Sequence, residues 1–226
     1  VGDVKVILRQ ILDRGAPVTD STAWLDQLKD YRKAELGRIF PRREGFVFPG
    51  TFLRKLGAKL DDDAVVSVDV GQNQIFTCKY LPQKNGRLLT SGGLGTMGYA
   101  LPAGIGAKIA APDRQNVVIC GDGSFQMAMN ELAAIRAADL DIKIVLFQNN
   151  TLGLVHQIQK AAPYHGPFGV DLDGSPDFET LAKAYQIPSL TVDDEDKVNE
   201  VLDRFLGTKG CCLLIVKVHP DVGTND

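Results

Sequence analysis

The chain has 226 residues, of which 44% are hydrophobic and 23% are charged, and its formal net charge is −3. A chain of this length can bury one substantial core. The mild charge offers no basic surface for nucleic acid, and no apolar run reaches the roughly 18 residues that a membrane span needs. Composition therefore argues against nucleic-acid-binding and membrane-spanning proteins.

The cysteine pattern favours free thiols. The four cysteines lie at positions 78, 120, 211 and 212, without a CxxC pair and without the spacing of a secreted disulfide framework. Three of them fall in apolar, strand-like runs, so we expect buried thiols and a reducing, cytoplasmic location. The sequence opens on Val1 and shows no recognisable signal peptide, which suggests a fragment.

Residues 1–45 have the pattern of a peripheral region. Asp3 can cap a short helix with apolar residues on one face, and a second helical pattern runs from about residue 21 to residue 36. The extended, charged segment 39–44 is typical of a linker. We therefore predict a short helical N-terminal appendage at 1–45 and a main domain at 46–226.

The main domain is predicted to begin with a helix at Pro49, followed by a strand at residues 64–70. The strand ends at Gly71, and the next two residues are Gln72 and Asn73. Their side-chain amides can donate hydrogen bonds to phosphate oxygens at the ligand-binding edge of an α/β sheet. The alternative interpretation is the ordinary polarity of a loop.

Residues 93–98 match the pattern GxGxxG, which occurs in dinucleotide-binding domains. That motif needs a strand before it, a helix after it and an acidic residue at the end of the next strand, which is about where Asp122 lies. Two features argue against it, because residues 87–90 make a poor strand and Asp122 is followed by Gly-Ser. A nucleotide-binding module of the NAD type, or a non-catalytic module, stays open as the alternative of another class.

The central stretch predicts a strand, a turn, a helix and a second strand. The apolar run 117–120 is cut off by Gly-Asp-Gly-Ser, helix formers follow over 126–138, and a second apolar run covers 142–147. Strands joined by a helical crossover are parallel neighbours, so their carboxyl ends lie at the same sheet edge. Asp122 and Asn149 are therefore expected to face each other at that edge.

A carboxylate and a carboxamide at one sheet edge suit a magnesium ion. Mg²⁺ is usually held by one or two protein oxygens, with phosphate and water completing its octahedral shell. Asp122 and Asn149 supply two such oxygens, and the main-chain carbonyl of Thr151 can add a third. Gly121 and Gly123 allow close approach of a diphosphate, and Ser124 with neighbouring amides offers donors. The alternative is a pair of ordinary polar turns.

The last third of the chain continues the alternation of helices and strands. Apolar runs at 189–192 and 211–218 predict two strands, the second apolar on both faces, with helical patterns before each. Gly104 and Gly106 give an earlier helix a small-residue face that favours close packing on a sheet. Together these patterns predict an α/β fold with a doubly wound, mostly parallel sheet and helices on both faces.

The motif Gly-Asp-Gly-Ser at 121–124, followed by Asn-Asn at 149–150, resembles the metal and diphosphate motif of thiamine diphosphate-dependent enzymes. The segments 69–72, 90–99 and 152–155 extend this resemblance to the C-terminal part of the acetolactate synthase large catalytic subunit. The resemblance covers nearly the whole chain, but members of that family are much longer.

The resemblance implies a thiamine diphosphate-binding fold and an enzyme that decarboxylates pyruvate and joins the two-carbon unit to a second 2-keto acid in branched-chain amino acid biosynthesis. Met97 matches the apolar residue that bends the cofactor into its working shape. The implied cofactor contacts are Gly71, Gln72, Asn73, Gly95, Met97, Gly121, Gly123, Ser124, Met127 and Gly153, and the implied Mg²⁺ ligands are Asp122, Asn149 and Thr151.

The resemblance also implies parts that this chain does not contain. Family members activate the cofactor with a glutamate from a separate N-terminal domain, so we expect no catalytic residue within the chain. We also expect the chain alone to show no turnover and to bind the cofactor weakly at best. A homodimer or homotetramer, a regulatory subunit and FAD bound mainly by a central domain are further expectations. Two residues depart from the family pattern, since Asn73 replaces a common histidine and Ile158 replaces the tryptophan that shapes the acceptor pocket. Another thiamine diphosphate-dependent decarboxylase or carboligase is therefore the alternative within enzymes.

Overall fold

The computed structural model describes residues 2–15, 19–40, 42–82, 84–161 and 166–225. The chain separates into two compact units, Val1–Ile39 and Phe40–Asp226. In the described part of the chain, no helix is both long enough and apolar enough to cross a membrane.

The smaller unit contains two helices, α1 (Val4–Asp13) and α2 (Thr22–Leu36). As the sequence pattern predicts, Asp3 caps α1, and its carboxylate accepts hydrogen bonds from the backbone N–H groups of Lys5 and Val6 at 2.9 and 3.2 Å. These bonds satisfy two of the amides that a helix start leaves without an intrahelical partner. The helix buries none of its own residues.

The larger unit alternates strands and helices along the chain. In chain order its elements are α3 (Pro49–Lys59), β1 (Val65–Val68), α4 (Gln72–Tyr80), β2 (Arg87–Thr90), α5 (Ala100–Ala110), β3 (Asn116–Gly121), α6 (Asp122–Gln126), α7 (Leu132–Ala137), β4 (Lys143–Gln148), α8 (Gly153–Ala161), α9 (Phe178–Ala184), β5 (Ser189–Val192), α10 (Val198–Gly207) and β6 (Cys212–Lys217). A 3₁₀ turn, Met129–Glu131, lies between α6 and α7.

The six strands form one parallel sheet in the order β2-β1-β3-β4-β6-β5. Successive strand residues point to opposite faces. In β3, Val117 and Ile119 join a core with α3, α4 and α10, whereas Val118 and Cys120 join a second core with α5, α7 and α9. The predicted doubly wound α/β fold, with helices on both faces, is confirmed.

The strand order creates a switch point between β1 and β3. The connection after β1 leads outward to β2 on one side, and the connection after β3 leads to β4 on the other side. The loops beyond these two strand ends therefore diverge and leave a crevice between them. This crevice places the residues that follow β1, β3 and β4 around one space.

The sequence interpretation of residues 87–90 as a poor strand is wrong. These residues form β2, which pairs in parallel with β1 from Arg87 opposite Val65 to Thr90 opposite Val68. An edge strand needs only a half-buried face, and Leu88 packs against the core. However, β1 lies between β2 and β3, so the end of β3 is two strand spacings, about 10 Å, from the end of β2. That order differs from the dinucleotide-binding arrangement, in which the acidic residue ends the adjacent strand.

Two helix predictions also need correction. The helix predicted over 126–138 is interrupted, because α6 already begins at Asp122 and a 3₁₀ turn separates it from α7. The alternative interpretation of Gln72 and Asn73 as ordinary loop residues is also wrong, because helix α4 starts directly at Gln72. Its mixed sequence gives little helical periodicity, and burial of Phe76 and Tyr80 in the core fixes it.

We predict that alanine at Gly104 and alanine at Gly106 will change stability in opposite directions. Both glycines lie in α5, but a Cβ at Gly104 would overlap the Val118 side chain of β3, whereas a Cβ at Gly106 would meet no atom within 4 Å. Overpacking should lower the free energy of unfolding by about 1–3 kcal/mol in Gly104→Ala. Gly106→Ala should raise it by about 0.5–1 kcal/mol, because alanine favours the helix. Urea unfolding measures the change in stability of each variant. If the two alanine substitutions change the free energy of unfolding equally, Gly104 is not more closely packed than Gly106.

Candidate functional site

A cavity of about 130 Å³ lies at the switch-point edge of the sheet. The predicted site residues among its lining are Gly71, Gln72, Asn73, Met97, Gly121, Asp122, Gly123, Ser124, Asn149, Thr151 and Gly153. The other two lie outside it: Gly95 is exposed, and Met127 is 59% exposed at the end of α6, next to Gly98. The fold thus brings most of the predicted residues around one space.

Asp122 and Asn149 lie side by side at the ends of β3 and β4. The register pairs Gly121 with Phe147, so the two chains leave the sheet at the same level. The buried Asp122 carboxylate accepts hydrogen bonds through Oδ2 from the N–H groups of Asn149 (3.0 Å) and Asn150 (2.6 Å), and through Oδ1 from Gly123 (2.9 Å). These three bonds fix the carboxylate at the edge of the cavity.

The side-chain oxygen atoms of Asp122 and Asn149 still have lone pairs that accept no hydrogen bond. A carboxylate has about four lone-pair directions, and the three N–H donors leave one on Asp122 Oδ1. Asn149 Oδ1 accepts one long hydrogen bond, 3.2 Å, from the N–H of Thr151 and keeps a second lone pair. One charged and one neutral oxygen are therefore available for a hard cation.

The Thr151 carbonyl is directed by a short antiparallel bridge. Thr151 is paired with Asp171, but the hydrogen bonds of the bridge are made by the neighbours, from Leu152 N to Val170 O and from Leu172 N to Asn150 O. In such a pair the two central residues turn their N–H and C=O groups away from each other. The Thr151 carbonyl therefore points away from residues 170–172, on the side from which the Thr151 N–H reaches Asn149.

Burial controls the charge of Asp122. It raises the pKa of the carboxyl to about 6, and the N–H donors from Asn150, Gly123 and Asn149 act in the opposite direction. A buried anion without a neighbouring cation is unfavourable, so burial favours the neutral, protonated form of the carboxyl. A divalent cation at the carboxylate would offset this cost.

Two glycines of the cavity lining, Gly123 and Gly153, allow neighbouring side chains to pack directly against the backbone. A Cβ at Gly123 would lie 2.6 Å from Leu152 Cδ2 and 3.6 Å from Met97 Cε. A Cβ at Gly153 would overlap the Gln72 side chain and lie 2.6 Å from Asn149 Nδ2. Any larger residue at these positions would displace Leu152, Gln72 or Asn149, so glycine is needed to keep the shape of the cavity wall beside Asp122. This glycine cradle, together with the oxygen donors, fits a metal-bound diphosphate.

The side chains that were predicted to donate hydrogen bonds to phosphate instead bond to other groups of the protein. Gln72 Nε2 donates to Gln157 Oε1 (2.9 Å) and to the Val222 carbonyl (2.8 Å), which uses both of its hydrogens. Asn73 Nδ2 donates to the Asp69 carbonyl at 2.6 Å. The Ser124 hydroxyl donates to the Gly121 carbonyl and accepts from the Gly121 N–H, both at 3.2 Å. In the structure these side chains shape the loops around the cavity.

Asp69 is a buried site residue that the sequence interpretation missed. Its Oδ1 accepts hydrogen bonds from the N–H groups of Val70 (2.9 Å) and Gly98 (3.0 Å), and its Oδ2 accepts from Ala100 (2.8 Å). Burial raises the pKa of this carboxyl, and the three N–H donors oppose the rise. Asp69 thus holds the glycine-rich loop that carries Met97. Its position directly after an apolar strand is the sequence feature that could have identified Asp69 as a buried residue at the ligand-binding edge.

This fold and this site define a doubly wound α/β domain with a ligand-sized cavity at its switch point, lined by glycines, a buried carboxylate and side-chain amides. The comparisons with known proteins specify the ligand. A family model for "Thiamine pyrophosphate enzyme, C-terminal TPP binding domain" matches residues 69–216. The chain belongs to the thiamine pyrophosphate enzyme family, and this assignment replaces the NAD-type alternative.

Relatives of this chain include acetolactate synthases. The chain is 36% identical over 196 residues to the acetolactate synthase large subunit of Lactococcus lactis subsp. lactis, a match that covers 86% of this chain and 34% of the relative. It is 33% identical over 222 residues to the large subunit of Cyanidium caldarium (95% and 37% covered). It is 36% identical over 231 residues to the mitochondrial catalytic subunit of Aspergillus candidus (96% and 32%). The chain spans about a third of the length of each relative.

Proposed function

We propose that this chain is the cofactor-binding C-terminal part of an acetolactate synthase-like enzyme, which decarboxylates pyruvate and joins the two-carbon unit to a second 2-keto acid. The observation that carries the proposal is the meeting of Asp122 and Asn149 beside the glycine cradle, at hydrogen-bond distance across two strand ends. The names of the relatives support the choice of reaction.

Three oxygen atoms of this chain would hold Mg²⁺: a carboxylate oxygen of Asp122, the side-chain oxygen of Asn149 and the main-chain carbonyl of Thr151. Such a mixed set agrees with the absence, among the described residues, of any cluster of three or more His, Cys, Asp or Glu side chains that could hold a metal. Through the metal, Asp122 would bind the diphosphate, and Gly121 and Gly123 line the same cavity.

The bound thiamine diphosphate supplies the electron sink for decarboxylation of a 2-keto acid. The chain's own contribution is to orient it and to exclude water. Met97 lies beside Gly123 and would support the bend of the cofactor, while Phe76, Phe147 and Leu152 make the cavity wall apolar. An apolar wall lowers the local polarity and prevents hydrolytic side reactions.

Other parts of the proposed enzyme lie outside this chain. The resemblance supports an activating glutamate in a separate N-terminal domain, a homodimer or homotetramer, FAD bound mainly by a central domain, a regulatory subunit and a role in branched-chain amino acid biosynthesis. A reducing, cytoplasmic location is supported by four free cysteines, three of them buried.

The acceptor keto acid is a point on which this chain departs from its family pattern. Ile158 stands on α8, one turn beyond the cavity-lining residue Val155, and it is 60% exposed. An isoleucine offers a smaller contact surface than the tryptophan expected from the resemblance. This observation favours, as a second candidate, a thiamine diphosphate-dependent decarboxylase or carboligase with another acceptor.

Calorimetry tests the cofactor and the metal together. We expect the full-length protein that contains this chain to bind thiamine diphosphate when Mg²⁺ is present, to bind it much more weakly without the metal, and to show no heat of binding with NADH. The 226-residue chain alone should bind the cofactor weakly at best. We further expect no pyruvate consumption by the 226-residue chain alone. Measurable turnover by this chain would contradict the proposal that an essential glutamate comes from elsewhere, and metal-independent binding would contradict the Asp122 assignment.

A further inference from the structure

A polar cluster joins helix α8 to the C-terminal segment of the chain. Gln157, in the middle of α8, accepts hydrogen bonds at Oε1 from Gln72 Nε2 (2.9 Å) and from the Thr224 N–H (2.9 Å). Its Nε2 donates to the Thr224 hydroxyl at 3.0 Å. We call Gln72, Gln157, Val222 and Thr224 the C-terminal clasp. One glutamine side chain thus connects three parts of the chain that are far apart in sequence.

Three members of the clasp are buried, and Gln157 is half-buried. Gln72 is 8% exposed and Thr224 is 5% exposed, and the Val222 carbonyl accepts a further hydrogen bond from Gln72 Nε2 at 2.8 Å. Lys79 Nζ donates to the Thr224 carbonyl at 2.9 Å. Buried polar groups that lose a partner cannot exchange it for water, so each bond in the cluster costs more to break than an exposed one.

Helix α8 has little apolar anchorage of its own. Of its nine residues only Gly153 is buried, and Val155 and Ile158 are exposed. Polar contacts therefore determine where the helix lies. Besides the clasp, Lys160 pairs with Asp221 of the C-terminal segment at 2.7 Å, an exposed ion pair that contributes little by itself.

The position of α8 matters because its first turn lines the cavity. Gly153, Leu154 and Val155 form part of the cavity wall. At Gly153 the backbone lies against the side chains of Gln72 and Asn149, so that a Cβ there would overlap the former. A shift of α8 would therefore move the cavity wall, the glycine cradle and the side chain of one proposed metal ligand together.

We propose that Gln157 and Thr224 are positioning residues, through which the C-terminal segment holds α8 against the cofactor cavity. Neither side chain needs to touch the cofactor for this role. The expected effect on cofactor binding rests on the proposed function. The claim that these residues hold α8 in place, which we call the mechanical part, does not. Within the clasp, Gln72 makes the connection to the cavity, because its side chain bonds Gln157 and Val222 and also contacts Gly153.

Hydrogen exchange of the protein without cofactor tests the mechanical part. In Gln157→Leu we expect the Thr224 amide and the amides of the last turn of α8 to exchange about tenfold faster, as the loss of one or two partly buried hydrogen bonds predicts. Gln157→Glu keeps the Oε1 acceptor, and the Thr224 hydroxyl can turn to donate to it, so exchange should stay within about threefold of the wild type. Unchanged exchange at Thr224 in Gln157→Leu would overturn the proposal.

Gln159→Leu is the matched control. Gln159 lies on the same helix but bonds to the backbone of Phe168 instead of the clasp. This variant should speed exchange at the Phe168 amide and leave Thr224 unchanged, and equal acceleration at Thr224 would show a general loosening of α8 and overturn the proposal.

Calorimetric affinity for thiamine diphosphate with Mg²⁺ tests the positioning part. We expect Gln157→Leu to weaken cofactor binding about tenfold, whereas Gln157→Glu should keep an affinity near that of the wild type. The midpoint of global unfolding should stay near the wild-type value in both variants. If exchange accelerates but affinity is unchanged, the positioning role is wrong. If the full-length wild-type protein binds no cofactor, the proposed function fails. The role of the clasp in holding α8 is then still tested by hydrogen exchange alone.

Discussion

Replacing Asp122 with asparagine should abolish Mg²⁺-dependent binding of thiamine diphosphate. The substitution removes the single negative charge that faces the cavity beside Asn149, and it places an amide NH₂ group against the N–H donors that now bond the carboxylate. Removing even an outer partner of a metal ligand costs about 10–100-fold in affinity, so loss of the ligand itself should cost at least about 100-fold.

Isothermal titration of wild type and Asp122→Asn with thiamine diphosphate, with and without Mg²⁺, measures this effect. Asp171→Asn is the control for charge, because Asp171 is exposed and lies opposite Thr151 at the same edge. It should bind within about threefold of the wild type, as expected for an exposed charge. Unaltered Mg²⁺-dependent affinity in Asp122→Asn would remove the basis of the metal assignment.

The same carboxyl predicts the pH dependence of binding. Burial raises the pKa of Asp122 to about 6, and only the ionised carboxylate is a metal ligand. Above pH 6 the carboxylate is ionised and affinity should be level. Below pH 6 a proton competes with Mg²⁺, so wild-type affinity should fall by about tenfold for each pH unit. The Asp122→Asn variant should show no such slope.

Replacing Asp69 with asparagine should release the glycine-rich loop of residues 91–98. The carboxylate bonds Gly98 and Ala100 with opposite oxygens, and asparagine can supply an acceptor to only one of them. One buried N–H would then face an NH₂ group, which should lower the free energy of unfolding by about 2 kcal/mol. Cofactor affinity should fall as well, because Met97 loses its fixed position.

Urea unfolding and hydrogen exchange at Gly98 and Ala100 measure the Asp69→Asn effect. Asp61→Asn is a suitable control, since Asp61 is an exposed carboxylate that precedes β1 on the opposite edge of the sheet. Its stability should stay within about 0.5 kcal/mol of the wild type. If exchange at Ala100 is equally slow in both variants, Asp69 does not hold the loop.

Much of the fold could be predicted from local sequence patterns. The apolar runs that became β3, β4 and β6 are buried on both faces, and their pattern is visible without any partner. The crossover argument placed Asp122 and Asn149 at the same edge of the sheet, because the carboxyl ends of parallel strands all lie at one edge. Only the structure shows that β3 and β4 are also neighbours, since β2 and β3 are likewise joined by a crossover and are not adjacent. Strand β2 and helix α4 were missed since their burial depends on neighbours rather than on periodicity.

The sequence by itself determined the alternation of strands and helices and the chemical types of the groups at the sheet edge. Only the tertiary structure decided that Asp69 bonds a loop about thirty residues away, that the amide of Gln72 faces Gln157 and Val222, and that the C-terminal segment reaches α8. The physical reason is that periodicity reports whether a side chain is buried, whereas its partner depends on how distant elements pack. Hydrogen bonds over such sequence separations form only when the whole sheet and its helices are in place.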